Sequence, residues 1–469
     1  MTQFIEIPLS CKEETHNAYQ NELMNLLDFL RKVHPAFLQD KSLYARMDAL
    51  AKQLCGELAD EKMALEKFQI LLNRFVAMLS DAHTSIAVAS QTLFPYTIRY
   101  WEGEFYVYST SHRYKAVLGK CVDSIGNRPM AAVKEELKQW IPSENEIKAG
   151  ITGSFYLNNK YFLEAIRVYD GVGSLTMTFT DGQSVHFTPS DEKADCVCGG
   201  IHTNLLTKLK DVPFCYQIVD GICYFQFNAM MDRATYLLNC KLFGIDADKE
   251  LADSLPDFAE FLDAMYAEME QASTELLVVD IRYNGGGNSL LGDMLLETLL
   301  PEEQSFARYE TYLRMSDFLQ KHTMFPVAAE AVKDGLVNQK AIKWMDEFAN
   351  RKRLPRRYTG RVLFIQGQNT FSSANYLATT IKDNRLFTLI GSDTSQKPTC
   401  YGDILPVVLP YTKTKAFVSH SYFCRPCSAL DADDRLSPDV TIKNPIADLQ
   451  SGKDNCWEWI CQNKHLITS

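Results

Sequence analysis

Residues 369–380, NTFSSANYLATT, set two adjacent serines before an apolar run at helical spacing, Ala374, Leu377, Ala378 and Ile381. A serine in that place has an ordinary use, because its side-chain oxygen can accept one of the free N–H groups of a helix start. It has a chemical use as well. A hydroxyl at the head of a helix that follows a parallel strand faces the sheet edge where α/β folds do their chemistry, so Ser372 is a candidate nucleophile. Upstream, Gly285, Gly286 and Gly287 of YNGGGN follow LLVVDIR and precede another helical run. Glycines there can turn backbone N–H groups toward an anion, and they can equally form a tight structural turn. The G-x-G-x-x-G of a dinucleotide site and the Lys-Ser/Thr ending of a P-loop are absent. If the two loops meet, the Ser373 N–H joins the glycine amides around an oxyanion, each such donor lowering a barrier by about 2.7–4 kcal/mol. A serine also needs a base, and nine histidines and 48 Lys plus Arg leave that choice open on residue pattern alone.

These loops require a parallel sheet, and the second half of the chain supplies its signature. ICYFQF, LLVVDIR, RVLFIQG and LFTLIG read as strands, alternating with helical stretches over DSLPDFAEFLDAMYAEMEQA, SLLGDMLLETLL and SSANYLATTIKD. Three loops then fall at carboxyl ends of strands, 283–288, 368–373 and 392–399. Residues 301–360 show no strand signal and read as a helical insertion. Residues 1–85 are helical in period, as in NELMNLLDFLRKVHPAF and EKFQILLNRFVAMLSDAHT. Residues 86–190 change to short β runs, IAVAS, YTIRYW, FYVYS and LTMTFTDGQSVHFTP, with one helix over the segment ending KEELKQW. The polar stretch 191–212 reads as a linker into the 213–469 core.

Composition narrows the function. With 469 residues, 46% hydrophobic and 11% aromatic, the chain can build two or three packed domains. A net charge of −11 argues against a nucleic-acid partner, and the basic run RKRLPRR (351–357) reads as a solvated face. No stretch has the length of a membrane span and the N-terminus lacks a leader pattern, so a cytoplasmic protein without a membrane partner is expected. Thirteen cysteines without regular spacing fit reduced thiols. Neither Cys196/Cys198 nor the CRPC of Cys424 and Cys427 has the second ligand pair of a zinc site or the strand and helix of a redox motif.

Taken in order, LVVDIRYNGGG, NTFSSAN and IGSDTSQKPT, with DGICYFQFN before them and SPDV after them, resemble the tail-specific or C-terminal processing family of serine peptidases, which includes the tricorn protease core. The resemblance covers about residues 213–445. It implies an α/β protein with a crotonase-like (ClpP/crotonase) core, a PDZ-like β-rich domain over 86–190 and the N-terminal helical segment. It also implies hydrolysis of peptide or protein substrates without metal or cofactor, and leaves a homo-oligomer open. Matched by position, the nucleophile is Ser372 and the family lysine is Lys397. LSDAHT resembles the tricorn-like L-x-D-x-H-T, which makes His83 the expected base. A neutral imidazole is poised near neutral pH whereas a lysine must be desolvated, and Tyr401 stands where the lysine-type branch carries glutamine. The acidic run before SPDV offers Asp431, Asp433 and Asp434, of which Asp434 is the expected supporting acid. Gly286, Gly287 and Ser373 form the expected oxyanion hole, and Asn375 replaces the family's usual glutamate. Two other classes fit the same features: an inactive peptidase-like protein that binds peptides, and a crotonase-type acyl-CoA enzyme.

Overall fold

The strands of the second half pair in sequence order. In the computed structural model, which describes residues 4–10, 12–60, 62–89, 93–190, 194–198, 212–323, 335–339 and 356–466, six strands form one sheet: β1 (Phe214–Val219), β2 (Ile222–Phe227), β3 (Leu276–Asp280), β4 (Arg361–Gln366), β5 (Thr388–Gly391) and β6 (Val440–Thr441). β1 and β2 form an antiparallel hairpin, and every later neighbour is parallel. The linking helices are α1 (Phe258–Gln271), α2 (Ser289–Leu299) and α3 (Ser373–Asn384). Because the order advances in one direction, right-handed crossovers put all three helices on one face.

Alternate strand residues serve the two faces, which is why these strands read as unbroken apolar runs. Phe225, Phe227, Leu277, Val279, Val362 and Phe364 pack with Leu262, Leu291 and Leu377 of the helices. Tyr224, Leu276, Val278, Leu363, Ile365 and Ile390 face the other way, where Cys456 and Ile460 of α4 (Asn455–Asn463) cover them. The sequence-expected helix faces are present, with Ala374, Leu377, Ala378 and Ile381 all buried.

A buried ion network fastens the sheet to α4. Arg282, 4% exposed, is bidentate to Asp454 through Nη1 (3.0 Å) and Nη2 (2.8 Å) and reaches Asp280 through Nε (3.1 Å) and Nη2 (2.8 Å). The Tyr224 hydroxyl donates to Asp280. Asp454 also caps α4, accepting from the Cys456 and Trp457 N–H groups. The Asp-x-Arg of the third strand is therefore a structural clamp.

The chain divides into two compact units, residues 1–201 with 401–421 and residues 202–400 with 422–469. The sheet above belongs to the second. Most of the strands Cys400–Val408 and Lys415–Cys424 cluster with the first unit, where they pair with Ile5–Glu6 and Ser85–Ile86. The first unit opens with helices Ala18–Val33, Leu43–Glu57 and Leu65–Ala77, the first fixed by a capping box of Asn17 and Gln20. Short antiparallel strands follow, with three helices, Met130–Trp140, Glu146–Ser154 and Lys160–Ala165, where one was expected. The last two start on the asparagine caps Asn145 and Asn159, a signal visible in SENEIK and LNNKYF. Of IAVAS only Ile86 lies in a strand.

Within 301–360, strands Glu310–Arg314 and Leu336–Asn338 pair antiparallel, where no strand was expected. Thr311 and Leu313 are more buried than their neighbours, a five-residue alternation too short to stand out. Residues 324–334 and 340–355, with most of the basic run and most of the 191–212 linker, lie outside the described residues. The described cysteines are free, and among the described residues no helix is long and apolar enough to cross a membrane.

Arg282→Met is expected to lower stability by about 3–5 kcal/mol, because it strands two buried carboxylates. Chemical denaturation of variant and wild type measures it; an unchanged midpoint refutes the clamp.

Candidate active site

Two loops meet at the carboxyl ends of β3 and β4, and backbone bonds fix their spacing. Thr370 Oγ1 donates to the Ile281 carbonyl (2.8 Å) and accepts from Gly367 N–H (3.0 Å), while Phe371 N–H donates to the Asn284 carbonyl (3.0 Å). Ser373 Oγ donates to the Gly287 carbonyl (2.7 Å). The glycine loop is held from its other side by Met230, whose N–H donates to Gly286 O (2.9 Å) and whose carbonyl accepts from Asn288 N–H (2.8 Å).

Ser372 stands at the head of α3 but does not cap it, since its side chain makes no capping hydrogen bond. Its backbone has φ 54° and ψ −127°, a region that costs a non-glycine residue about 1–3 kcal/mol. A strained strand-to-helix turn of this kind is what lifts a nucleophilic serine clear of its own helix. The glycines make room for it. A Cβ built on Gly286 (φ 101°) would lie 2.5 Å from Ser372 Cβ and 2.8 Å from Ser373 N, and one on Gly287 (φ 133°) would lie 2.2 Å from Met230 O.

The amides divide unequally. Gly286 N–H donates to Asn284 Oδ1 at 2.8 Å within its own turn, so it is engaged. Among the described residues the Gly287 and Ser373 N–H groups have no acceptor. Ser372 N–H donates at 2.5 Å to Oε1 of Gln396, a fully buried side chain with no signal in the sequence. Lys397 follows it and is partly exposed, with no ion pair among the described residues. Asn375 is buried with Oδ1 unpartnered among those residues.

His83 lies in the first unit, in the turn after helix Leu65–Ala77, with its side chain 12% exposed. Asp81 organises that turn. Its Oδ1 accepts the His83 N–H (2.9 Å) and stands 3.7 Å from His83 Nδ1, while Oδ2 accepts from His34 Nε2 (2.9 Å) and Thr84 Oγ1 (2.6 Å). His34 Nδ1 accepts the Ala36 N–H, which leaves Nε2 to carry the proton given to Asp81. Burial alone would raise the Asp81 carboxyl, but hydrogen bonds and charge from His34 and His83 outweigh it and hold it well below the usual range. Glu144 is the opposite case. Burial first, then the Asp81 charge, pushes it up to about 7, and its Oε1 accepts only a long bond from Ala82 N–H (3.3 Å). Asp81, His83 and Glu144 place ligand atoms within 4.8 Å of one another, a donor set that a divalent cation could use. Asp434, the expected acid, is exposed in the second unit and paired with Arg435 Nε (2.8 Å). Asp439 of SPDV is structural, since Oδ2 accepts the Leu389 N–H (2.9 Å) beside β5.

Residues 249–403 match the sequence model of peptidase family S41. The fold extends the likeness over nearly the whole chain. Mature CPAF superposes with a TM-score of 0.60 at 14% identity, over 97% of this chain and 99% of that one. Mature CPAF complexed with lactacystin gives 0.59 at 14%, over 96% and 98%. No curated protein matches the sequence. The middle of the chain is thus similar to peptidase family S41, and the fold over nearly its whole length is similar to that of CPAF.

Two outcomes follow from this geometry. Gly286→Ala is expected to cut peptidase activity by about 100-fold or more, since a displacement near 1 Å has that effect on a reacting group; wild-type turnover by the variant refutes the close approach. For Glu144 the folded state holds its proton more tightly than the unfolded chain does. Its stabilising contribution is therefore complete below about pH 4.5 and is lost as pH rises through about 7. Glu144→Gln is expected to match wild type near pH 4.5, to gain on it as pH rises to about 7 and to level off above that in thermal melts; a gap that is flat with pH from 4.5 to 7 counts against the assignment.

Proposed function

We propose that the protein is a serine endopeptidase or processing peptidase that works through an acyl-enzyme, with Ser372 as its nucleophile. The observation that carries this reading is a serine in a strained turn, released from capping duty, against a glycine loop with no space for a side chain. Ser372 Oγ attacks the scissile carbonyl. His83, assigned from motif order, takes the hydroxyl proton and returns it to the leaving amine. The oxyanion is received by the Gly287 and Ser373 amides, with Gly286 supplying clearance, and water completes deacylation. Lys397 orients its loop or donates to the oxyanion. As the acid that supports His83 we favour Asp81 over Asp434, because Asp81 is ionised and adjacent to the imidazole.

The same reading gives the second unit a crotonase-like core, supported by sequential parallel strands with their crossover helices on one face. It gives 86–190 a PDZ-like role in holding a peptide end by strand addition. Substrates are peptides or proteins.

Incubation of a mixed peptide library with wild type and Ser372→Ala, read by mass spectrometry, tests the proposal. Cleavage is expected in wild type and a loss on the order of 10⁶-fold in the variant. Products that persist in the variant, or none from wild type at any pH, would overturn it in favour of another nucleophile or a peptide-binding protein.

A further inference from the structure

The unusual contact at Ser372 is its own amide. At a helix start the first N–H groups normally point to solvent or to a cap, yet this one donates at 2.5 Å to the side chain of a glutamine 0% exposed. Only a carboxamide oxygen can accept an N–H, so the contact fixes which end of Gln396 faces Ser372. The other end, Nε2, is then a buried donor, and among the described residues it has no acceptor. Leaving such a donor unsatisfied forfeits the hydrogen bond it would make with water in the unfolded chain. The loop is not otherwise slack: Thr394 Oγ1 donates to Gln396 O (3.3 Å) and accepts the Leu436 N–H (3.2 Å). Gln396 therefore sits where packing alone would favour an apolar residue, and the one bond its side chain makes among the described residues is to the residue with φ 54°.

We propose that Gln396 is a positioning residue for the nucleophile: its Oε1 pins the Ser372 amide and so holds the strained turn that presents Ser372 Oγ. The amide must be held because relaxation of φ to negative values would rotate Ser372 into the capping position that its sequence context favours. The inference rests on Ser372 being the nucleophile, but the contact itself can be measured without turnover.

The test compares Gln396→Met, which keeps size and removes the acceptor, with Gln396→Glu, which keeps an acceptor oxygen. Hydrogen exchange of the peptide containing the Ser372 amide reads the contact. Labelling by a fluorophosphonate, resolved into affinity and maximal rate, reads the nucleophile, and Ser372→Ala supplies the blank. Exchange at Ser372 is expected to speed up at least tenfold in the Met variant and to stay slow in the Glu variant. Maximal labelling is expected to fall about 100-fold in the Met variant with affinity within threefold. In the Glu variant it falls progressively as pH rises, because an ionised carboxylate beside Ser372 opposes the oxyanion. Met and Glu variants that exchange alike, or a Met variant labelled within threefold of wild type, would overturn the proposal. A wild type that takes no label refutes the nucleophile instead, and the exchange comparison still decides the contact.

Discussion

The site depends on the buried cation Arg282. Its guanidinium meets carboxylates from two directions, Asp280 at the end of β3 and Asp454 at the start of α4, and its own N–H returns to Asp280 Oδ1 (2.9 Å). A charge so enclosed survives only with its partners in place, so the backbone leaves β3 along one path. From that path Ile281 O receives Thr370 Oγ1, Asn284 O receives Phe371 N–H, and the glycine loop is delivered against Ser372. The clamp touches no reacting atom and still fixes the register between the two loops that do.

Glycine serves this site by what it lacks. The sequence suggests a nest of three amides, but Gly286 spends its N–H on Asn284, and its contribution is the absence of a Cβ where Ser372 Cβ passes. Strain and clearance are parts of one device. A positive φ at Ser372 turns its side chain away from the helix it heads, and without glycine opposite that rotation would be sterically blocked.

The parallel sheet, its strands and the buried face of α3 were legible because each is written in consecutive residues, as unbroken apolar runs or a 3.6 period. Ser372 was legible as a position but its role was not, since cap and nucleophile share one local pattern and differ only in φ and in hydrogen bonding. Gln396 left no trace, because a polar residue in a loop looks alike whether solvated or buried. Asp81 lay in plain view, two residues before His83. Asp434 lies in an acidic run, and local exposure with an arginine next to it is what such runs usually provide. The Glu310–Arg314 strand is hard to read because five residues with charged ends carry too little alternation, and the grouping of 401–421 is hard to read because partnership between distant strands is not encoded locally.

Around His83 two carboxylates are driven apart in acidity by their surroundings, a pattern that commonly marks acid–base machinery. Asp81 accepts from three donors and stays ionised; Glu144 is buried, has one long bond and the repulsion of Asp81, and is pushed up to about 7. Below that pH the imidazole is faced by one negative charge, not two. For the base proposed at His83, a single carboxylate suffices to stabilise an imidazolium as it forms, and a second negative charge would oppose release of its proton. The neutral Glu144 therefore has a function that an apolar residue could share, and its carboxyl adds a sensitivity to pH that an apolar residue would not. His34 supports the arrangement from behind, since its tautomer is set by the Ala36 N–H and it can only donate to Asp81. The charge state beside His83 is thus determined by residues that need never touch substrate.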